Sequence, residues 1–127
     1  MVSQIRVLVV DDEPSIRNSL VEFLEDCQFD VTAADSAESA LDAIERTTID
    51  VALVDIRLPK LDGDSFIVKA HEQFPDMRFL IHTGSVEYKL SEELKRFGVT
   101  HEHVFLKPQM DLAVFEKAIC ELMSASK

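Results

Sequence analysis

Val51-Ala52-Leu53-Val54-Asp55 is an unbroken apolar run closed by a carboxylate. Apolar residues in succession, Val at both ends, suit a strand buried on both faces, as in a parallel sheet covered by helices. Val7-Leu8-Val9-Val10 has the same character and runs into Asp11-Asp12. Two such strands lying parallel bring three acids to one edge of the sheet. Carboxylates crowded together cost free energy, so the cluster calls for a cation, shared protons or a wet site.

Outward from these runs the chain alternates strand and helix. Strand candidates are 5–10, 30–34, 51–54, 78–82 and 103–106, and helical periodicity fills the gaps. The first stripe is Ile16, Leu20, Phe23, Leu24 and Cys27, with Pro14 in the first turn. The second is Ala37, Ala40, Leu41 and Ile44, after an Asp35…Glu38 pair at capping-box spacing. Phe66, Ile67, Ala70 and Phe74 follow, ended by Pro75. Val86, Leu90, Leu94 and Phe97 predict a fourth helix, stopped by Gly98, and Leu112, Phe115, Ile119 and Leu122 a fifth. This order predicts right-handed crossovers and a parallel sheet with helices on both faces. Ligands in such folds bind beyond the carboxyl ends of the strands. That rule places Asp11, Asp12, Asp55, Thr83 and Lys107 around one crevice.

The chain of 127 residues, 46% hydrophobic, fits one domain spanning 1–127, free-standing or cut from a longer protein. Its formal charge of −11 argues against this domain gripping nucleic acid or an anionic membrane. No apolar stretch approaches the roughly 20 residues of a membrane span, and Met1-Val2-Ser3-Gln4-Ile5-Arg6 lacks a signal-peptide core, so a cytoplasmic location is expected. Cys27 and Cys120 fall at apolar helical positions and are expected as buried free thiols. His101-Glu102-His103 is expected as a solvated loop entering an edge strand, because no third metal ligand has suitable spacing. His71 and His82 suggest no role. Tyr88, Lys89, Glu92, Lys95 and Arg96 are expected on a solvated face of the fourth helix.

The chemistry open to the crevice is that of a divalent metal and a phosphoryl group. Mg²⁺ takes one or two carboxylates with waters and phosphate oxygens, and Asp11, Asp12 and Asp55 offer the carboxylates. Lys107 supplies a point charge, the Thr83 hydroxyl can donate to a phosphoryl oxygen, and Gly84 leaves a backbone N–H open. A carboxylate could also act as nucleophile and form an acyl phosphate. There is no Walker-type loop to hold a nucleotide.

Asp11-Asp12, Asp55, Thr83-Gly84 and Lys107-Pro108, each after a strand, resemble the receiver domain of bacterial two-component response regulators, and Leu58-Pro59-x-x-Asp62-Gly63 matches the family's loop into the third helix. The resemblance covers essentially the whole chain. It implies a flavodoxin-like (βα)5 three-layer sandwich with strand order 2-1-3-4-5. Asp55 would accept a phosphoryl group from a sensor histidine kinase, a phosphotransfer protein or a small acyl phosphate. Mg²⁺, with Mn²⁺ as a substitute, would be held by Asp12, Asp55 and the Arg57 backbone carbonyl, with Asp11 acting through a bound water. Thr83 and Lys107 would clasp the phosphoryl oxygens, and the Lys107–Pro108 peptide would be cis. The switch would be read by a C-terminal output domain, a partner, or a second copy through the helix 4–strand 5–helix 5 face. Catalysis would be limited to self-phosphorylation and slow hydrolysis, so no conventional enzyme is expected.

One position departs from the family. The Tyr or Phe usual three residues before the lysine is Val104 here, and strand alternation points Phe105 to the opposite face. Readout through the strand 4–helix 4 loop is therefore expected. Two other readings remain open. A degenerate receiver would bind partners without phosphate. A haloacid-dehalogenase-like phosphatase would want a second acid where Arg57 stands.

Overall fold

The computed structural model describes residues 4–58 and 60–125. Strands β1 (Arg6–Val10), β2 (Asp30–Ala34), β3 (Val51–Asp55), β4 (Arg78–Thr83) and β5 (Val104–Leu106) alternate with helices α1 (Pro14–Asp26), α2 (Ala37–Arg46), α3 (Gly63–Gln73), α4 (Glu92–Arg96) and α5 (Ala113–Ala125). The strands form one sheet in the order β2-β1-β3-β4-β5, each pairing parallel, as the sequence leads one to expect.

Alternation along the strands sorts the core into two layers. Leu8, Val10, Ala52, Val54, Phe79 and Ile81 meet the apolar faces of α2, α3 and α4. Val7, Val9, Val51, Leu53 and Leu80 meet α1 and α5 on the other side. Both layers bury the central strands β1 and β3, whose side chains must therefore be apolar until the strands leave the core. They lead into Asp11 and Asp55, acids that are still buried at the carboxyl edge of the sheet.

Local chemistry sets the helix ends. Pro14 opens α1, Asp62 caps α3 by accepting from the Ser65 N–H at 2.8 Å, and Gly98 takes φ +93° just after α4. The cap of α2 differs from the expected Asp35…Glu38 pair. Ser36 is the cap, accepting from Ser39 N–H at 3.0 Å while Ser39 Oγ accepts from Ser36 N–H at 3.2 Å. A serine pair reaches these short distances as well as an acid would.

The fourth helix is shorter than its apolar spacing predicts. It spans five residues, begins at the Ser91 cap and leaves 84–91 as turn and loop. Val86, expected on its buried stripe, is 81% exposed. Thr83 Oγ1 accepts from Ser85 N–H at 3.1 Å and Tyr88 N–H donates to the Ser85 carbonyl at 3.3 Å, so local bonds hold this segment as a turn instead of a helix. Tyr88 consequently lies in the loop, half-buried, and not on a solvated helical face. Cys120 is another correction: it faces outward from α5 and is exposed, whereas Cys27 is partly buried, and both are free. His103 belongs to a 3-10 turn, His101–His103, and β5 starts one residue later. Met1-Val2-Ser3, Pro59 and the last two residues lie outside the described residues.

Candidate functional site

The carboxyl ends of β1, β3, β4 and β5 converge on one cluster. Asp11 follows β1, is 1% exposed, and is fixed by its own N–H donating to the Ala34 carbonyl at 3.1 Å. Its Oδ1 accepts from Glu13 N–H at 3.0 Å, and the Arg17 guanidinium donates to its carbonyl at 2.9 Å. Asp12 is exposed. Asp55 closes β3 at 4% exposure, with Oδ1 accepting from the Arg57 N–H at 3.1 Å. Lys107 follows β5 through a backbone bond from its N–H to the Thr83 carbonyl at 2.8 Å, and the Lys107–Pro108 peptide is cis. Its Nζ lies 3.0 Å from Asp11 Oδ2, 3.2 Å from Asp55 Oδ2 and 3.7 Å from Glu13 Oε1.

One lysine thus faces three acids, and the charge does not balance. Burial pushes the Asp55 carboxyl above its usual range; Lys107 opposes this and Asp11 reinforces it. Burial alone would lower Lys107, but Asp11 and Asp55 hold it above the ordinary lysine value, so it stays charged. Asp11, Asp12 and Asp55 each offer an oxygen, all within 4.8 Å of one another. A compact, all-oxygen donor set short of positive charge is what a hard divalent cation such as Mg²⁺ fits.

Thr83, wholly buried, ends β4 on the face shared with Ile81, and its hydroxyl proton remains free to donate while its oxygen accepts from Ser85. Beside it, Gly84 is exposed and has open space where a Cβ would stand. Arg57 turns its side chain to solvent and its N–H to Asp55. Asp11, Asp12, Asp55 and Lys107 thus stand in one cluster, and the backbone bond from Lys107 to the Thr83 carbonyl sets the end of β4 beside it.

Contacts that no spacing announced complete it. Glu13 and Arg17 brace Lys107 and Asp11 from α1 and the turn before it. Gly63 lets α3 approach so closely that a Cβ there would lie 2.4 Å from the Asp55 carbonyl oxygen. His82, given no role by the sequence, is 4% exposed on β4 beside Asp55 in the register, and neither ring nitrogen has a hydrogen-bond partner. Its one signal was its position one residue before Thr83.

Residues 7–118 match the family model described as the response regulator receiver domain. The chain belongs to that family. It is a receiver domain of the kind found in two-component response regulators, a signalling module. Among curated relatives, the transcriptional regulatory protein FixJ of Bradyrhizobium diazoefficiens is 31% identical, aligned with 100% of this chain and 62% of its own length. The response regulator receiver protein CpdR of Brucella abortus is 30% identical over 69% of this chain and 73% of its own. This receiver thus spans less than two thirds of FixJ, and only 33% of Rre1 from Synechocystis. Among solved structures, a CheY-like receiver domain protein from Methanospirillum hungatei superposes with TM-score 0.82 at 29% identity, covering 98% of this chain and 97% of that one. Thermotoga maritima TrrA, solved in complex with Mg²⁺–BeF, shares the fold with TM-score 0.79 at 23% identity, covering 94% of this chain and 99% of that one. Among the described residues no helix is long and apolar enough to cross a membrane.

Proposed function

We propose that Asp55 is the phosphoryl acceptor of this receiver. The observation that carries the reading is its carboxylate, buried at the end of β3, with Lys107 Nζ at 3.2 Å and two further acids within 4.8 Å. A carboxylate whose pKa is raised by burial is the more basic nucleophile, and charged Lys107 is placed to neutralise phosphoryl oxygens. Attack by an Asp55 oxygen on a phosphohistidine forms the acyl P–O bond as the P–N bond breaks, and the imidazole leaves. Asp12, Asp55 and the Arg57 carbonyl would hold Mg²⁺, with Asp11 beyond a water; the ion supplies neutralising charge to the phosphoryl oxygens. The Thr83 hydroxyl, with its free proton, would bond a phosphoryl oxygen.

The phosphoryl group adds about two negative charges and new acceptors, which draw Thr83 and Lys107 inward and shift a two-state equilibrium of the α4–β5 side. The donor would be a sensor histidine kinase or a phosphotransfer protein in the cytoplasm. The reader would be a C-terminal output domain, a partner, or a second copy through the α4–β5–α5 face. Chemistry would stop at self-phosphorylation and slow hydrolysis. Intact mass after incubation with Mg²⁺ and acetyl phosphate should rise by one phosphoryl group, and Asp55→Asn should abolish the gain. No gain in the native protein would leave the phosphate-independent interaction module as the reading, and turnover of a free phosphate ester would point to a phosphatase.

A further inference from the structure

Tyr88 is the only tyrosine of the chain, which has no tryptophan. It stands in the 84–91 segment between β4 and α4, half-buried, and its hydroxyl donates to Asp64 Oδ1 at 2.8 Å. Asp64 is the second residue of α3. The first, Gly63, rests on the acceptor's own backbone: its N–H donates to the Ile56 carbonyl at 3.0 Å, and the Asp55 carbonyl leaves no room for a Cβ. Tyr88 is thus held at both ends. Its side chain hangs from the turn of α3 that packs on Asp55, and its backbone is bonded to Ser85, which is bonded to the Thr83 hydroxyl oxygen.

Nothing on β5 offers a comparable tether. Val104, paired with Ile81, is apolar and stiff at χ1, and Phe105 points to the other layer against Phe115. We propose that the Tyr88–Asp64 hydrogen bond is a latch that holds the β4–α4 segment in its resting arrangement and is released when a phosphoryl group on Asp55 engages Thr83. This deepens, and rests on, the reading of Asp55 as acceptor. Drawing the Thr83 hydroxyl toward the site pulls on Ser85, the turn from 85 to 88 moves with it, and the phenol loses a partner fixed to α3. Burial, with Asp64 beside it, raises the Tyr88 phenol above its ordinary value, so it remains a donor across the usual pH range. Burial also raises Asp64, while the bond from Tyr88 lowers it.

A phenol bonded to a carboxylate is a quenched fluorophore, so emission from this single tyrosine reads the latch directly. The full chain is titrated with Mg²⁺ and beryllofluoride, and ¹⁹F NMR independently counts the bound fluoride. Emission should rise as the bound ¹⁹F signal grows, and Asp64→Ala should start bright and not respond. By linkage, a latch weakened by the phosphoryl mimic must in turn weaken its binding, so Tyr88→Phe should tighten beryllofluoride by about fivefold or more. Bound ¹⁹F with unchanged emission, or with unchanged affinity in Tyr88→Phe, overturns the latch and leaves the Asp55 reading intact. Absence of bound ¹⁹F in the native protein defeats the Asp55 reading, and the latch falls with it.

Discussion

Gly63 lies so close to Asp55 that a Cβ on it would stand 2.4 Å from the Asp55 carbonyl oxygen and 2.8 Å from the Ile56 Cα. Both neighbours are backbone, which cannot swing aside as a side-chain tip would. Gly63→Ala must therefore push α3 away from the end of β3 and move the acceptor with it. A loss of about 2 kcal/mol is expected from the forced repacking, together with slower phosphorylation by acetyl phosphate. Urea unfolding and intact-mass time courses measure the two effects separately. A variant as stable and as fast as the native protein would mean that the loop yields instead.

Lys107 is the counter-charge for two buried acids, Asp11 at 3.0 Å and Asp55 at 3.2 Å. Lys107→Met should destabilise the metal-free protein by about 3 kcal/mol, because Asp11 and Asp55 remain buried without it. Mg²⁺ should then raise Tm more in the variant than in the native protein, since it becomes the chief source of positive charge there. Equal Mg²⁺ shifts in both proteins would show that the ion and Lys107 do not answer the same charge.

Those two contacts mark how far the sequence reaches. Strand ends were readable because Val51–Val54 and Val7–Val10 are apolar throughout, so the acids that follow had to stand at an edge. The fourth helix is shorter than its stripe predicts because Val86, Leu90, Leu94 and Phe97 keep helical spacing whether or not the backbone is helical. Only Leu90 and Leu94 of the first three are buried, and Ser91 starts the helix between them. Asp64 and Tyr88 are 24 residues apart, and no local pattern signals that pairing. The crowding of Gly63 on Asp55 is likewise a tertiary fact. Alternation with Leu80 puts His82 toward α1 and α5, but its lack of hydrogen-bond partners depends on what those helices bring.

His82 should make stability fall in mild acid. Burial lowers its pKa from 6.5 to about 4, with Lys107 acting the same way and Asp11 opposing. The unfolded chain therefore binds the proton first. The native state loses stability as pH drops from about 6.5 to about 4, by about 2 kcal/mol at pH 5 for this group. Asp55, raised by burial, runs in the opposite direction, so a native-minus-variant comparison is needed. His82→Leu should remove the slope and, by relieving two unpaired buried nitrogens, should be no less stable at pH 7. Urea midpoints for both proteins at pH 7.5 and 5 decide the matter, and parallel losses would exonerate His82.

Val104 tests which path carries the signal out of the site. It is half-buried on β5, paired with Ile81 and packed in the layer that holds α4, where an aromatic side chain would have a rotamer to change. Valine has no such lever, so movement of Thr83 must reach α4 through the 84–91 segment. Val104→Tyr should then leave the beryllofluoride-induced shifts of the α4 backbone amides as they are in the native protein, with only local changes around β5. Amide spectra of the two proteins, with and without Mg²⁺ and beryllofluoride, measure this directly. If α4 responds only once the tyrosine is present, the native domain lacks the loop route and the aromatic ring supplies the missing one.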